Sequence, residues 1–362
     1  MTGSADKPLF YTTIALLTGG LLVLASASMV ISQKNFGTAS YYTLRQLLYG
    51  AGVGTLALLV FSHLPYRTWK KLALPLMTVS FLLLALLFMP ELSYSSGGAR
   101  RWLMVGFLSF QPSEILKLAF IVYLASWLDA RRDELKSVSY GLIPFALMLA
   151  IVGVFLVMQP DIGTLGVIVA TAFILYFLGG GRSAQIASLS VFGLILFYLL
   201  VQLTPYRMAR ILVFLNPGLD PKGIGYQINQ ALIAIGSGGF WGLGFGKGLQ
   251  KYNYLPEPIG DSVFAIFAEE MGFLGSVLLI ALLTLFLWRG LLIAKRAPDI
   301  FGKLLAAGLS IGIMVQAFIN MAAISGLLPL TGIPLPFLSY GGTSLAITLA
   351  SVGILLNISK YT

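Results

Sequence analysis

The chain contains no cysteine, which excludes disulfide frameworks and thiolate-ligated metal centres. Its single histidine, His63, lies in a short polar stretch between apolar runs, so a histidine-based metal site lacks ligands. Charge is scarce: 10% of residues are charged and 58% are hydrophobic, where soluble domains carry about 25% charged residues. A water-soluble core cannot enclose that much apolar surface, so lipid is the solvent for most of this chain. Acids are scarcest, at 13 of 362 residues against 23 lysines and arginines. The net charge of +10 fits basic residues at helix ends that lean to one face of a bilayer better than it fits a nucleic-acid surface.

What is abundant is long apolar sequence. A membrane-spanning helix needs about 20 mostly apolar residues. Ten runs are candidates: 9–31, 43–62, 72–89, 112–128, 139–158, 163–179, 184–203, 263–288, 303–325 and 342–358. The expected fold is an all-α polytopic bundle of about ten transmembrane helices, a single integral membrane domain over 1–362 with no internal repeat. The first run exceeds the about 7–15 residues of a signal h-region, so "ASA" at Ala25–Ala27 is not a cleavage site and the run is an uncleaved first helix. With the N-terminus inside, thirteen of the 23 basic residues fall on cytoplasmic pieces, from Lys7 and the Arg67–Lys71 cluster to Lys360. An even helix count then places both termini in the cytoplasm. The outer side holds the irregular sequence, at about 91–111, 204–260 and 327–342. Within the long outer segment, "GYQINQALIAIGSGGFWGLGFGKG" is too short and too polar to span, which predicts a re-entrant or interfacial piece.

Four of the thirteen acids (Glu257, Asp261, Glu269 and Glu270) crowd into "YNYLPEPIGDSVFAIFAEE" at the edge of the eighth run. Asp261, after Gly260, is either an N-cap that accepts from first-turn amides or a general base at a wet cavity. The first role lowers its pKa; burial under loops raises it. Glu269 and Glu270 are expected to pair with a neighbouring helix. Glu257, between two prolines, is expected to be extended, as a solvated loop acid or a site residue. In "GGARRWLMVGFLSFQPSEILKL", Pro112 suits a first helical turn, and Glu114 and Lys117 share a face as an ion pair. Arg100 and Arg101 are headgroup anchors or a diphosphate clamp. In "MQPDIGT", Asp161 is a turn-and-cap residue or a site acid. Arg207, Arg210, Lys222, Lys247 and Lys251 give the long outer segment a cationic lining. In "TGIPLPFLSYGGTS", the hydroxyls of Ser339, Tyr340 and Thr343 line a polar pocket or satisfy loop backbone.

These four motifs, running along the chain as "GARRWLMVGFLSFQPSEILKL", "MQPDIGT", "YLPEPIGDSVFAIFAEE" and "TGIPLPFLSYGGTS" among ten apolar runs, resemble the SEDS family (shape, elongation, division and sporulation), and the resemblance covers nearly the whole chain. "QKYNYLPEP" is more similar to the division, FtsW-type members than to the elongation, RodA-type members. The resemblance implies a peptidoglycan glycosyltransferase that polymerises lipid II at the outer face of the bacterial cytoplasmic membrane. It carries the family's essential acid onto Asp261, its paired acid and lysine onto Glu114 and Lys117, and its "QPD" acid onto Asp161. One departure stands out: the family commonly has Thr before the aspartate and Phe-Ile after it, whereas this chain has Gly260 before and Ser262-Val263 after.

The implied reaction is an inverting transfer. A sugar hydroxyl attacks the anomeric carbon of an undecaprenyl-diphosphate donor, giving a β-1,4-linked strand. Asp261 is the expected base. Arg101, Lys117, Arg210 and Lys251 are candidate cations for the leaving diphosphate, with Glu257, Ser339 and Tyr340 as further substrate contacts. No cofactor motif is present, although a divalent cation such as Mg2+ is compatible with the chemistry. A class B penicillin-binding protein transpeptidase and other divisome membrane proteins are the expected partners. The alternatives are a lipid II flippase, an elongation-type polymerase, or a scaffold without chemistry. Clustering of the acids on the outer half favours an enzyme over a transport path.

Overall fold

The computed structural model describes residues 3–362 except Pro90, Gly97, Gly98, Phe107, Pro217, Leu219, Pro221, Lys222 and Ile224. All ten apolar runs are helical. They are α1 (Lys7–Phe36), α2 (Tyr41–His63), α3 (Arg67–Leu86), α4 (Pro112–Ala130), α5 (Val138–Met158), α6 (Ile162–Leu178) and α7 (Ser183–Gln202), followed after the long outer segment by α10 (Val263–Arg296), α11 (Ile300–Ile324) and α12 (Gly342–Ser359). Two shorter helices, α8 (Pro205–Leu215) and α9 (Tyr226–Ser237), occupy the outer segment. Among the described residues, eight helices are long and apolar enough to cross a membrane. Helix α6 is apolar but has 17 residues, and α4, with 19, carries Glu114, Lys117 and Asp129.

Local chemistry sets the helix ends. Asp6 Oδ1 accepts from the Leu9 amide at 2.8 Å, and Gly37, at φ 69°, stops α1. Pro112 opens α4, where its missing N–H leaves nothing unpaired. The stretch expected to be an irregular outer loop contains an antiparallel sheet of β1 (Ser93–Ser96), β2 (Ala99–Val105) and β3 (Leu108–Phe110), in that order. Ser96 pairs with Ala99, and the Gly-Gly between them in the sequence is a hairpin signal passed over in reading the segment as a loop.

The centre of the bundle is α11 and α12, each with 78% of its most apolar window buried, against 11% for α7. Small residues allow this. Gly353 of α12 faces the backbone of Leu58 in α2, where a Cβ would sit 2.5 Å from the Leu58 carbonyl oxygen. At one end, Arg289 pairs with Asp6, Arg67 with Asp299 at 3.2 Å, and Lys70 with Asp129 at 2.5 Å. The Lys360 ammonium donates to the Ser62 carbonyl at 2.7 Å, so both chain ends lie at this end of the bundle.

Helix α10 is not the unbroken rod its sequence suggests. Gly272 has φ 66° and ψ −163°, which interrupts the helical ladder. The outer-segment loop after α9 repairs the break. Leu243 and Gly244 amides donate to the carbonyls of Glu269 and Glu270, both at 3.0 Å, and Phe273 and Leu274 amides donate to those of Gly239 and Phe240 at 2.9 and 3.1 Å. A Cβ at Gly272 would lie 2.2 Å from the Gly242 nitrogen, so only glycine permits the approach. Non-helical backbone at membrane depth survives because protein, rather than lipid, satisfies it.

Both carboxylates beside the break hold the same loop. Glu269 accepts from the Leu249 and Gln250 amides at 2.8 and 3.2 Å. Glu270 accepts from Lys251 and from Ser26 of α1, each at 2.7 Å, and Lys251 also donates to the Gly246 carbonyl at 2.7 Å. The Lys251 side chain is fully buried. Expected in the sequence as a substrate-facing cation, it is a structural clamp, because its donors are taken by Glu270, Ser26 and Gly246. Removing one partner of a buried ion pair typically costs about 3–5 kcal/mol, because the other charge stays buried alone. Lys251→Met is therefore expected to lower the thermal midpoint of the purified protein in detergent, and adding Glu270→Leu should recover much of the loss. Equal midpoints for Lys251→Met and wild type would remove the clamp.

Candidate active site

At the other end of the bundle, Asp261 sits one residue before the N-cap of α10. Ser262 occupies the cap position, and the Asp261 carboxylate accepts from no first-turn amide among the described residues. The N-cap alternative is thus not realised. Oδ1 accepts from Gln227 Nε2 of α9 at 3.1 Å and from the Ser262 hydroxyl at 3.4 Å. Gln227 Nε2 also donates to Ser262 Oγ at 3.0 Å. The main-chain carbonyl of Asp261 accepts from Asn320 Nδ2 of α11 at 2.9 Å, and the same amide donates to the Ile333 carbonyl at 2.8 Å. The carboxylate is half-buried, with Gly332 close on its Oδ2 side.

Burial pushes the Asp261 carboxyl up to about 6 from an ordinary aspartate value, and the Glu257 charge pushes the same way. The Gln227 hydrogen bond, the Arg210 charge and the Ser262 hydroxyl pull it back. The group is held near neutrality, where a carboxylate is both ionised and basic enough to take a proton.

The loops around it are stitched backbone to backbone. Glu257 is not extended: its φ is 49°, and its carbonyl accepts from the amides of Gly260 at 3.0 Å and Ser262 at 3.3 Å. That turn overrides the extended preference that Pro258 imposes, and it leaves the Glu257 side chain exposed. Ser339, a candidate pocket hydroxyl, is spent on structure, donating to the Gly260 carbonyl at 2.6 Å and accepting from the Leu335 amide at 2.7 Å. The Tyr340 amide donates to the Ile259 carbonyl at 2.8 Å, and its ring meets Tyr42 edge-on at 5.0 Å. Gln46, in a π-helical stretch of α2, donates to the Ser339 carbonyl at 3.2 Å and accepts from the Gly341 amide at 3.0 Å.

The other sequence candidates divide. Arg210 belongs to the Asp261 surroundings. It donates to the Leu330 carbonyl at 2.8 Å and lines, with Phe214, Ile228, Leu232, Leu328 and others, a largely apolar cavity of about 120 Å3. Arg101 donates to the carbonyls of Gln159 and Pro160, which ties β2 to the start of α6. Asp161 is buried as the N-cap of α6, accepting from the Thr164 amide at 3.3 Å and from Ser113 at 2.9 Å. Both act on the frame rather than facing Asp261.

Buried Glu114 and partly buried Lys117 pair at 2.9 Å inside the bundle, and Lys117 also donates to Gln316 of α11. They line a small cavity of about 40 Å3, room for about two or three waters. Gln316 in turn donates to the Pro334 carbonyl at 2.9 Å, so this pair is linked to the 331–341 loop beside Asp261. Arg100 and Lys247 are exposed, Arg207 donates to the carbonyls of Leu200 and Val157, and Lys222 lies outside the described residues. Gln46, Gln227, Gln316 and Asn320 were missed in the sequence. The available signal was a carboxamide inside an apolar helix, which needs a partner in lipid.

Comparison with known proteins gives one answer. The family model described as "Cell cycle protein", covering FtsW, RodA and SpoVE, matches residues 7–362. Stage V sporulation protein E of Bacillus subtilis is 42% identical over 99% of this chain and 98% of its own length. A probable peptidoglycan glycosyltransferase FtsW of Trichlorobacter lovleyi is 40% identical over 98% of this chain and 93% of its own. Among solved structures, a chain from a peptidoglycan synthase complex that coordinates polymerization and crosslinking superimposes with a TM-score of 0.81. It is 31% identical, over 98% of this chain and 97% of that one. The rod shape determining protein RodA of Thermus thermophilus gives 0.72 at 29% identity, over 98% and 96%. The chain therefore belongs to the FtsW/RodA/SpoVE family of cell cycle proteins, the SEDS family that its motifs resemble.

Proposed function

We propose that this protein is a peptidoglycan glycosyltransferase that polymerises lipid II at the outer face of the cytoplasmic membrane, with Asp261 as general base. The observation that carries this reading is a half-buried carboxylate, raised to about 6, whose surroundings combine Arg210 with an apolar cavity at the bundle end opposite the termini. FtsW-named relatives support a role in septal synthesis during division. The polymerising and crosslinking complex supports a transpeptidase partner of the class B penicillin-binding type.

The chemistry follows from these groups. The acceptor hydroxyl is too weak a nucleophile alone, so Asp261 takes its proton as the oxygen attacks the donor's anomeric carbon. The new glycosidic C–O bond forms as the bond to the diphosphate oxygen breaks, and the electron pair leaves with undecaprenyl diphosphate. A single displacement on an α-linked donor gives a β-linked strand. Arg210 is placed to meet the charge that builds on the leaving diphosphate, and the apolar cavity beside it suits the first part of the lipid chain.

Asp261→Asn is expected to cut glycan-strand synthesis from purified lipid II by at least about 10^2-fold while leaving the thermal midpoint and lipid II binding near wild type. Normal strands from the Asn variant would refute the base assignment, and lipid II movement across vesicles without strands would favour a flippase. A base must be ionised, so kcat/KM should fall as pH drops through about 6. Glu257→Gln removes a charge that raises the Asp261 pKa, so the acidic limb should move to lower pH.

A further inference from the structure

The residue after Asp261 is Ser262, and its hydroxyl is held together with the carboxylate by one side chain of α9. Gln227 Nε2 reaches both that hydroxyl, at 3.0 Å, and Asp261 Oδ1, at 3.1 Å. The three groups close a triangle, with Ser262 Oγ 3.4 Å from Oδ1. All three contacts involve Oδ1 or its two donors; among the described residues, no hydrogen bond reaches Oδ2. Oδ2 instead faces Gly332, where a Cβ would stand 3.9 Å away. At φ 73°, Gly332 favours glycine, so that side of the carboxylate stays uncrowded.

We infer that Gln227 and Ser262 are positioning residues that fix one oxygen of Asp261 and so assign proton acceptance to the other, Oδ2, opposite Gly332. A carboxylate with free rotation about its Cα–Cβ and Cβ–Cγ bonds presents its basic oxygen to the substrate only part of the time. Pinning Oδ1 from α9 and from the first residue after the base removes that freedom, while Asn320 holds the main chain from α11. Gln227 matters most, because its one amide group serves both the carboxylate and the hydroxyl. Among the described residues, the charged groups that act on Asp261 are Glu257, on its own loop, and Arg210, on α8; Gln227, Ser262 and Asn320 are neutral. The inference rests on the base assignment above.

The test uses the full-length protein in detergent or nanodiscs with lipid II. Gln227→Leu is expected to lower kcat by about 10- to 100-fold with KM within about threefold, since the donor acts on the base and not on substrate binding. It should also move the acidic limb of the pH–rate profile upward, opposite to Glu257→Gln, because the lost hydrogen bond favoured the ionised form. Ser262→Ala should do the same to a smaller degree, and it keeps the test informative if Gln227→Leu folds poorly. A readout independent of polymerisation is the infrared band of the protonated Asp261 carboxyl, identified by its loss in Asp261→Asn. Its titration midpoint should rise in both variants. A raised midpoint in a protein that makes no glycan would support the positioning and sink the enzymatic reading. An unchanged midpoint and an unchanged pH limb in both variants would overturn the positioning role.

Discussion

No backbone amide or carbonyl can stay unpaired at membrane depth, and the outer end of this bundle is built on that constraint. Three non-helical segments meet there: the loop after α9, the 253–262 turn and the 327–341 loop. Many of their backbone groups pair with one another, with the broken helix α10, or with buried side chains. Gln46, Gln316 and Asn320 each bind loop carbonyls from a central or neighbouring helix. Because the pairs interlock, the position of Asp261 is determined by many hydrogen bonds, each worth on the order of 1 kcal/mol, rather than by one strong contact.

Charge is handled in two ways in the same molecule. Where the site must be rigid, opposite charges are sealed together, as in Lys251 with Glu270 and Lys117 with Glu114. Where chemistry is proposed, the carboxylate is left half-exposed and, among the described residues, without a direct ion pair. It feels Glu257 and Arg210 as opposing influences. A tight salt bridge to Asp261 would hold it ionised and weakly basic; the balance seen here keeps it responsive near neutral pH.

Most of the helical frame was legible in the sequence, because about 20 apolar residues in lipid have few options besides a helix. Asp261 was legible because an acid at the edge of an apolar run is costly without a purpose. The break at Gly272 was not, since a glycine inside an apolar run reads the same whether or not a loop inserts beside it. Nor was the role of Lys251: composition placed it on the outer side, but only tertiary contacts reveal that its donors are already taken, whereas Asp161 and Ser339 take the cap and loop-backbone roles that the sequence offered as one of two readings. Glu257 shows the limit of local rules, since a turn closed by Gly260 and Ser262 outweighed the preference of a residue preceding proline.

The discontinuity in α10 gives the outer segment a grip that an unbroken helix would deny it. Amides of Leu243 and Gly244 reach carbonyls before Gly272, and carbonyls of Gly239 and Phe240 receive amides from after it, so the loop clasps both portions of the helix. The stub that starts just past Asp261 is thereby fastened to the loop after α9 as well as to its own helix.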